Sequence, residues 1–209
     1  MSHALQRSVL LACILAALVS APATAAVLYE QLPGADGFVS DNKTTPDNWT
    51  QMEADSFVLE EAAEVTSVEF WCNTSLGQFT TFQVLFLPDA GGVPSNGALT
   101  SNGFVGVPQV EDGAYVRYTV TYPAGVGPRL DAGVTYWISV VGMDDYSGEP
   151  AWSEVFRWAA DSTAQGYARS DDGGITWSAA NFNQPAFRLL GDVVAVAAPS
   201  WSRVKALFR

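Results

Sequence analysis

The sequence predicts an all-β protein, an antiparallel β-sandwich of jelly-roll type with about ten strands. Three observations predict it. Apolar and polar residues alternate with a period of two in segment after segment, which sends side chains to opposite faces of a strand. Turn-forming clusters separate these segments: PDAGGVPSNG at 88–97, PAGVGP at 123–128 and DDGG at 171–174. No stretch after residue 26 repeats apolar residues at helical spacing between caps. Strands apolar on one side and polar on the other suit antiparallel sheets with one solvated face.

The elements follow in order. Val27 to Gln31 is the first expected strand, and Asp55 to Glu60 the second. Val65 to Cys72 reads VTSVEFWC, with Val68, Phe70 and Cys72 on one face and Glu69 and Trp71 on the other. In TFQVLFL, Phe82, Val84 and Phe86 share a face. Gly103 to Val107 is a short candidate. In AYVRYTVTY, Val116, Tyr118, Val120 and Tyr122 oppose Tyr115, Arg117, Thr119 and Thr121. In VTYWISVV, Tyr136, Ile138 and Val140 oppose Trp137, Ser139 and Val141. Ser153 to Ala159, Gln165 to Arg169 and Pro185 to Leu190 complete the set. The first strand is expected beside the last, because the termini of compact domains lie close together. Pro33 to Pro46 and Gly142 to Pro150 (GMDDYSGEP) read as loops.

The first 25 residues read as a secretory signal. Arg7 supplies the charge, the eleven residues Val9 to Val19 form an apolar run, and Pro22 precedes the small-residue pattern Ala23-Thr24-Ala25. That run is too short for a spanning helix, which needs about 20 residues, and no second long run follows. The expected product is a secreted or cell-surface protein that does not span a membrane. Residues 26–191 form the expected sandwich domain. Residues 192–209 form a linker, DVVAVAAPS, and a short basic, aromatic tail, Trp201 to Arg209 (WSRVKALFR), which reads as a frayed end or a docking peptide.

Composition excludes several functions. Residues 26–191 hold 21 acidic and six basic side chains, a net charge of −15. A phosphate backbone would be repelled, so nucleic acid is not an expected partner. The single histidine, His3, lies in the signal, and Cys72 is the one cysteine after it. Ser-His-Asp and Cys-His catalysis, His-ligated metals and an intrachain disulfide are therefore impossible after cleavage. Cys72 closes an apolar strand and reads as a buried thiol.

One local motif is sharp. Ser170-Asp171-Asp172-Gly173-Gly174-Ile175-Thr176-Trp177 fits Ser-x-Asp-x-Gly-x-Thr-Trp, and it resembles the Asp-box of sialidases and other β proteins. It describes a tight hairpin: Ser170 and Asp172 can bond nearby backbone N–H groups, Gly174 can take φ > 0, and Thr176 and Trp177 open the returning strand. The resemblance implies a structural turn away from chemistry, not sialidase activity.

The wider pattern also resembles a family. ADSFVL at 54–59, VTSVEFW at 65–71, Phe82 to Phe86 with its Gly92 and Pro94 turn, LDAGVTYW at 130–137 and AFRL at 186–189 look like the β-sandwich domain of exported bacterial surface proteins, of PEP-CTERM or choice-of-anchor type. The end of the chain departs from it, with no Pro-Glu-Pro and no apolar anchor helix. The resemblance implies a surface or exported role and no particular chemistry.

Three site hypotheses remain. A two-carboxylate glycoside hydrolase needs only two Asp or Glu, and Glu69, beside Trp71 on a polar face, is the best single candidate; it also reads as a solvated strand residue. Glu53-Ala54-Asp55-Ser56-Phe57-Val58 nearly spells Glu-x-Asp-x-x-Glu, with Val58 where the second Glu would stand. A carbohydrate-binding platform would use Trp49, Trp71, Tyr146 and Trp152, which lie in or beside polar segments. A structural calcium would use Asp144, Asp145 and Glu149, with Asp41 and Asp47 in a second acidic loop. The expectation is a non-enzymatic module whose partner is a glycan or a surface matrix, the hydrolase being the alternative.

Overall fold

The computed structural model describes residues 25–34, 39–41, 43–44, 50–73, 81–111, 115–142, 157–161, 167–180 and 184–194. Within them the chain forms strands and turns without a helix, and the strands make two sheets that face each other across one core.

The strands are β1 (Ala26–Gln31), β2 (Val39–Asp41), β3 (Lys43–Thr44), β4 (Thr50–Val58), β5 (Ala63–Asn73), β6 (Thr81–Pro88), β7 (Thr100–Val105) and β8 (Val107–Glu111). They continue with β9 (Tyr115–Thr121), β10 (Arg129–Leu130), β11 (Thr135–Gly142), β12 (Arg157–Asp161), β13 (Tyr167–Ser170), β14 (Ser178–Ala180), β15 (Gln184–Pro185) and β16 (Phe187–Val193). Sixteen among the described residues exceed the ten expected. Five of them (β2, β3, β10, β14 and β15) are two or three residues long, and one expected strand divides at Gly106 into β7 and β8.

In the first sheet β1 lies against β16, β16 against β5, β5 against β9 and β9 against β8, with β2, β10, β12 and β15 attached. In the second sheet β14, β13, β4, β11, β6 and β7 follow one another, with β3 between β4 and β11 at one end. Among the described residues the pairing is antiparallel except at Lys43 and Gly142. Gly106 alone separates β7 from β8, so the chain passes from the second sheet to the first within one residue.

The first strand does lie beside the last: Ala26 faces Gly191 and Gln31 faces Phe187. The ladder between β16 and β5 runs on to Asp192 and Val193, and the Val194 N–H donates to Ala62 O at 2.8 Å. The expected boundary at 191 therefore falls inside a strand. The small apolar residues read as a linker begin with a stretch that still has a ladder partner.

Alternation places the core. Phe57, Val84, Phe86, Tyr136, Ile138 and Val140 of the second sheet meet Val65, Val68, Phe70, Tyr118, Val120, Phe187 and Leu189 of the first. Phe57 meets Phe86 and Phe187 edge to face, with ring centroids 6.1 and 5.9 Å apart, and Phe70 meets Phe82 at 4.9 Å. Burying each such ring stabilises by about 2–3 kcal/mol, and favourable ring pairing adds about 1 kcal/mol. Trp158 is fully buried, and its indole N–H donates to Ala186 O at 2.8 Å, which satisfies its polar atom. Cys72 joins the same core as a buried free thiol, and burial pushes its pKa well up.

One expectation about the faces needs correction. The outward side of the second sheet is not polar: Met52, Ala54, Leu85, Leu87, Trp137, Val141 and Ala168 form a second buried apolar cluster there. Leu85, Leu87, Trp137 and Val141 interleave with inward residues, so these two strands are apolar on both sides, as strands covered on both faces are.

Candidate functional site

The outward face of the first sheet carries the clearest polar constellation. Glu69 on β5 stands opposite Arg188 on β16 and Thr119 on β9, and Glu30 on β1 stands opposite Arg188. Cross-strand neighbours lie near enough for charges to pair. Arg188 donates from Nε to Glu30 and from Nη1 to Glu69 at 2.7 Å, and Arg117 donates to the same Glu69 oxygen at 3.4 Å. One row of charge thus crosses β1, β16, β5 and β9. Only 11% of the Glu69 side chain and 22% of Arg188 is exposed.

The reading of Glu69 as a solvated strand residue is corrected: two guanidinium groups cover it. Trp71, two residues along the same face, is 3% exposed and packs with Tyr115, Ala159 and Ala186. The Arg188 guanidinium carbon sits 5.6 Å from its ring centroid, a cation–π arrangement. Trp71 therefore shows no open ring face, a correction to its place in an exposed platform. The small side chains of Ala159 and Ala186 leave the space into which the indole sinks.

The other sheet carries the 170–177 hairpin, which joins β13 to β14. The Ser170 Oγ–H donates to Asp172 Oδ1 at 2.8 Å and accepts the Gly174 N–H at 2.8 Å. Asp172 accepts the N–H groups of Ile175 and Thr176 at 3.1 and 2.8 Å and the Thr176 hydroxyl at 2.6 Å. Those bonds, led by the Thr176 hydroxyl, hold its carboxyl down at about 2. Gly174 has φ +84°, a conformation that costs any residue with a Cβ. Trp177 then folds onto the Met52 cluster. The side-chain oxygens of Ser170 and Asp172 are thus engaged within the turn itself. A similar device closes the turn after β6, where Asp89 accepts the Gly91 and Gly92 N–H groups and the Trp137 indole N–H at 2.9 Å.

A carboxylate that sequence reasoning left without a role lies between the sheets. Asp55 is 0% exposed and accepts the Gln31 side-chain amide at 3.1 Å and the Ser56 N–H at 2.8 Å. Burial, the dominant cause, pushes its pKa up to about 8. Its presence at an inward position of β4 was a signal in the sequence, where Asp55 and Phe57 share a face.

Trp49, Tyr146, Trp152, Asp144, Asp145, Glu149 and Asp47 lie outside the described residues, as do the signal segment through Thr24 and the tail from 195 to 209. Asp41 is described only as part of β2, which pairs with β12. Among the described residues no group of three or more His, Cys, Asp or Glu is placed to hold a metal, and no helix is long and apolar enough to cross a membrane. In comparisons with family models, curated proteins and solved structures, none matches the chain significantly.

Proposed function

We propose that the chain is an exported or cell-surface sandwich module that acts by binding, not by catalysis, with carbohydrate as its ligand class. The observation that carries this reading is the state of Glu69. A glycosidase needs one carboxyl to deliver a proton and a second to attack or to activate water, both facing the sugar. Here the best-placed carboxylate has one oxygen already bonded to two guanidinium groups. That oxygen is taken up by the protein's own side chains instead of facing a sugar. The row Glu30, Arg188, Glu69 and Arg117 instead holds fixed, partly exposed charged groups on a sheet face, which suits a ligand rich in hydroxyls.

The jelly-roll strand order belongs to the same proposal. Its support is the facing of β1-β16-β5-β9 against β4-β11-β6-β7, with the chain crossing between sheets at Gly106. A structural calcium held by Asp144, Asp145 and Glu149 is also part of it and rests on their clustering in sequence. A melting temperature that rises with added Ca²⁺ and falls with a chelator is the expected result.

The test uses neutral and acidic oligosaccharides on a glycan array, with a reducing-sugar assay on every ligand that binds. Binding without release of reducing ends, and its loss in Arg188→Ala, is expected. Release of reducing ends that Glu69→Gln abolishes would overturn the reading in favour of a hydrolase.

A further inference from the structure

The strand that opens the domain lies at an edge of its sheet. Within the described residues β1 has one ladder neighbour, β16, and that ladder is broken by a register shift between Val27 and Tyr29. Edge strands of this kind separate from a sheet more readily than central ones. Besides the Glu30–Arg188 pair and the packing of Tyr29 on Phe57 and Phe187, the last residue reinforces β1. The Gln31 side-chain amide donates to Pro185 O at 2.9 Å and to Asp55 Oδ2 at 3.1 Å, and Gln31 Oε1 accepts the Tyr29 hydroxyl at 3.4 Å. Pro185 belongs to the first sheet and Asp55 to the second. One side chain thus ties the end of β1 to both layers.

The surroundings of Asp55 determine what this tie responds to. Tyr29 faces it from β1, Tyr167 stands opposite it on β13 and Ile138 opposite it on β11. Glu53, two residues along β4, shares its face and stands opposite Arg169, which pairs with Asp171. Among the described residues no cation pairs with Asp55. Its neighbours are a neutral amide, a backbone N–H, two phenols and another acid. The Ser56 N–H and the Gln31 amide both donate to Asp55 and favour its ionised form, but full burial without a counter-charge outweighs them, so the neutral acid is the form this place accommodates. Burial pushes the Tyr29 phenol up to about 12 as well, with Asp55 adding to it, so the phenol does not share the charge.

We propose that Gln31 and Asp55 form a latch that clips the edge strand β1 across to the second sheet, closed while Asp55 holds its proton and released when that proton passes to solvent. Ionised Asp55 requires water, and β1 is an edge strand laddered on one side only, whose last side chain bonds Asp55. Opening therefore proceeds through this strand before the sheets separate. The latch is independent of any ligand on the outward face.

The test is amide hydrogen exchange on the whole chain at about pH 6 and about pH 9, corrected for intrinsic exchange rates, with residues 26–31 compared to β6 as internal reference. Protection of β1 relative to β6 is expected to fall about tenfold or more at the higher pH. Asp55→Asn, close in shape and unable to ionise, should abolish the difference. Gln31→Leu should lower β1 protection at both values. Protection of β1 that tracks β6 across the range, or a pH response retained in Asp55→Asn, would overturn the latch. Carbon-13 titration of the Asp55 carboxyl in the unaltered protein gives a second measurement. A midpoint above about 7 supports the latch, and any lower midpoint removes it.

Discussion

Single residues carry opposite electrostatic roles in this molecule. Asp55 has a folded-state pKa raised to about 8 from an ordinary carboxylate value. In the unfolded chain it ionises near pH 4. Below that pH both states hold the proton and the group costs nothing. As pH rises from about 4 to about 8, only the unfolded state gives up its proton, so stability falls by up to about 1.4 kcal/mol per pH unit. Urea unfolding at pH 5 and pH 8 should show this loss, and Asp55→Asn should remove it. Glu69 is the converse case, a carboxylate that two arginines require. Glu69→Ala should cost about 2 kcal/mol, because it strips the shared acceptor from partly buried guanidinium groups. A chemical denaturation midpoint that does not move in Glu69→Ala would argue that the row contributes nothing. Neither role could be read from the sequence alone. Arg188 lies 119 residues from Glu69 and Arg117 lies 48 away, and nothing local to VTSVEFWC announces either.

At the scale of elements, the turns are local chemistry and the sheets are not. The hydrogen bonds of the 170–177 hairpin link residues two to four apart, so the residue types in sequence carry them directly. The Asp172 pKa is held below its unfolded value, so its contribution is present above pH 4 and is lost as pH falls through about 2. Amide protection at Ile175 and Thr176 should disappear over that interval, and in Asp172→Ala it should be absent at every pH. The turn after β9 sets a steric limit instead. A Cβ on Gly127 would stand 1.8 Å from the Val65 carbonyl oxygen, and Pro128 O accepts the Val65 N–H at 3.0 Å beside it. Gly127→Ala should therefore destabilise by about 3 kcal/mol or more, read as a lower thermal midpoint. The long strands β5 and β9 were legible because apolar and polar residues alternate along them. Pieces of two or three residues fall below the length at which any period can be recognised. The outward face of the second sheet was misread for a related reason: Leu85 and Leu87 beside Val84 and Phe86 form a continuous apolar run, which does not say which side is covered.

The whole molecule folds against its own charge. The chain carries a net −12, and among its described ion pairs Arg188 serves two acids at once. Self-repulsion of that size is relieved by salt within a Debye length of about 10 Å at 0.1 M. The thermal midpoint should rise by a few degrees between about 10 and about 300 mM NaCl, and a flat response would mean that the acids are spaced widely enough not to interact. The pairing of Ala26 with Gly191 has a further consequence for how the protein is made. A ribosome delivers the first strand long before the last, so the first strand waits without a neighbour through nearly all of synthesis. Contacts so distant along the chain form slowly, because the intervening polypeptide must be gathered before they give any return. A chain stopped short of β16 would not be a smaller sandwich. It would be an open sheet with β5 stripped of one flank, a substrate for chaperones and proteases.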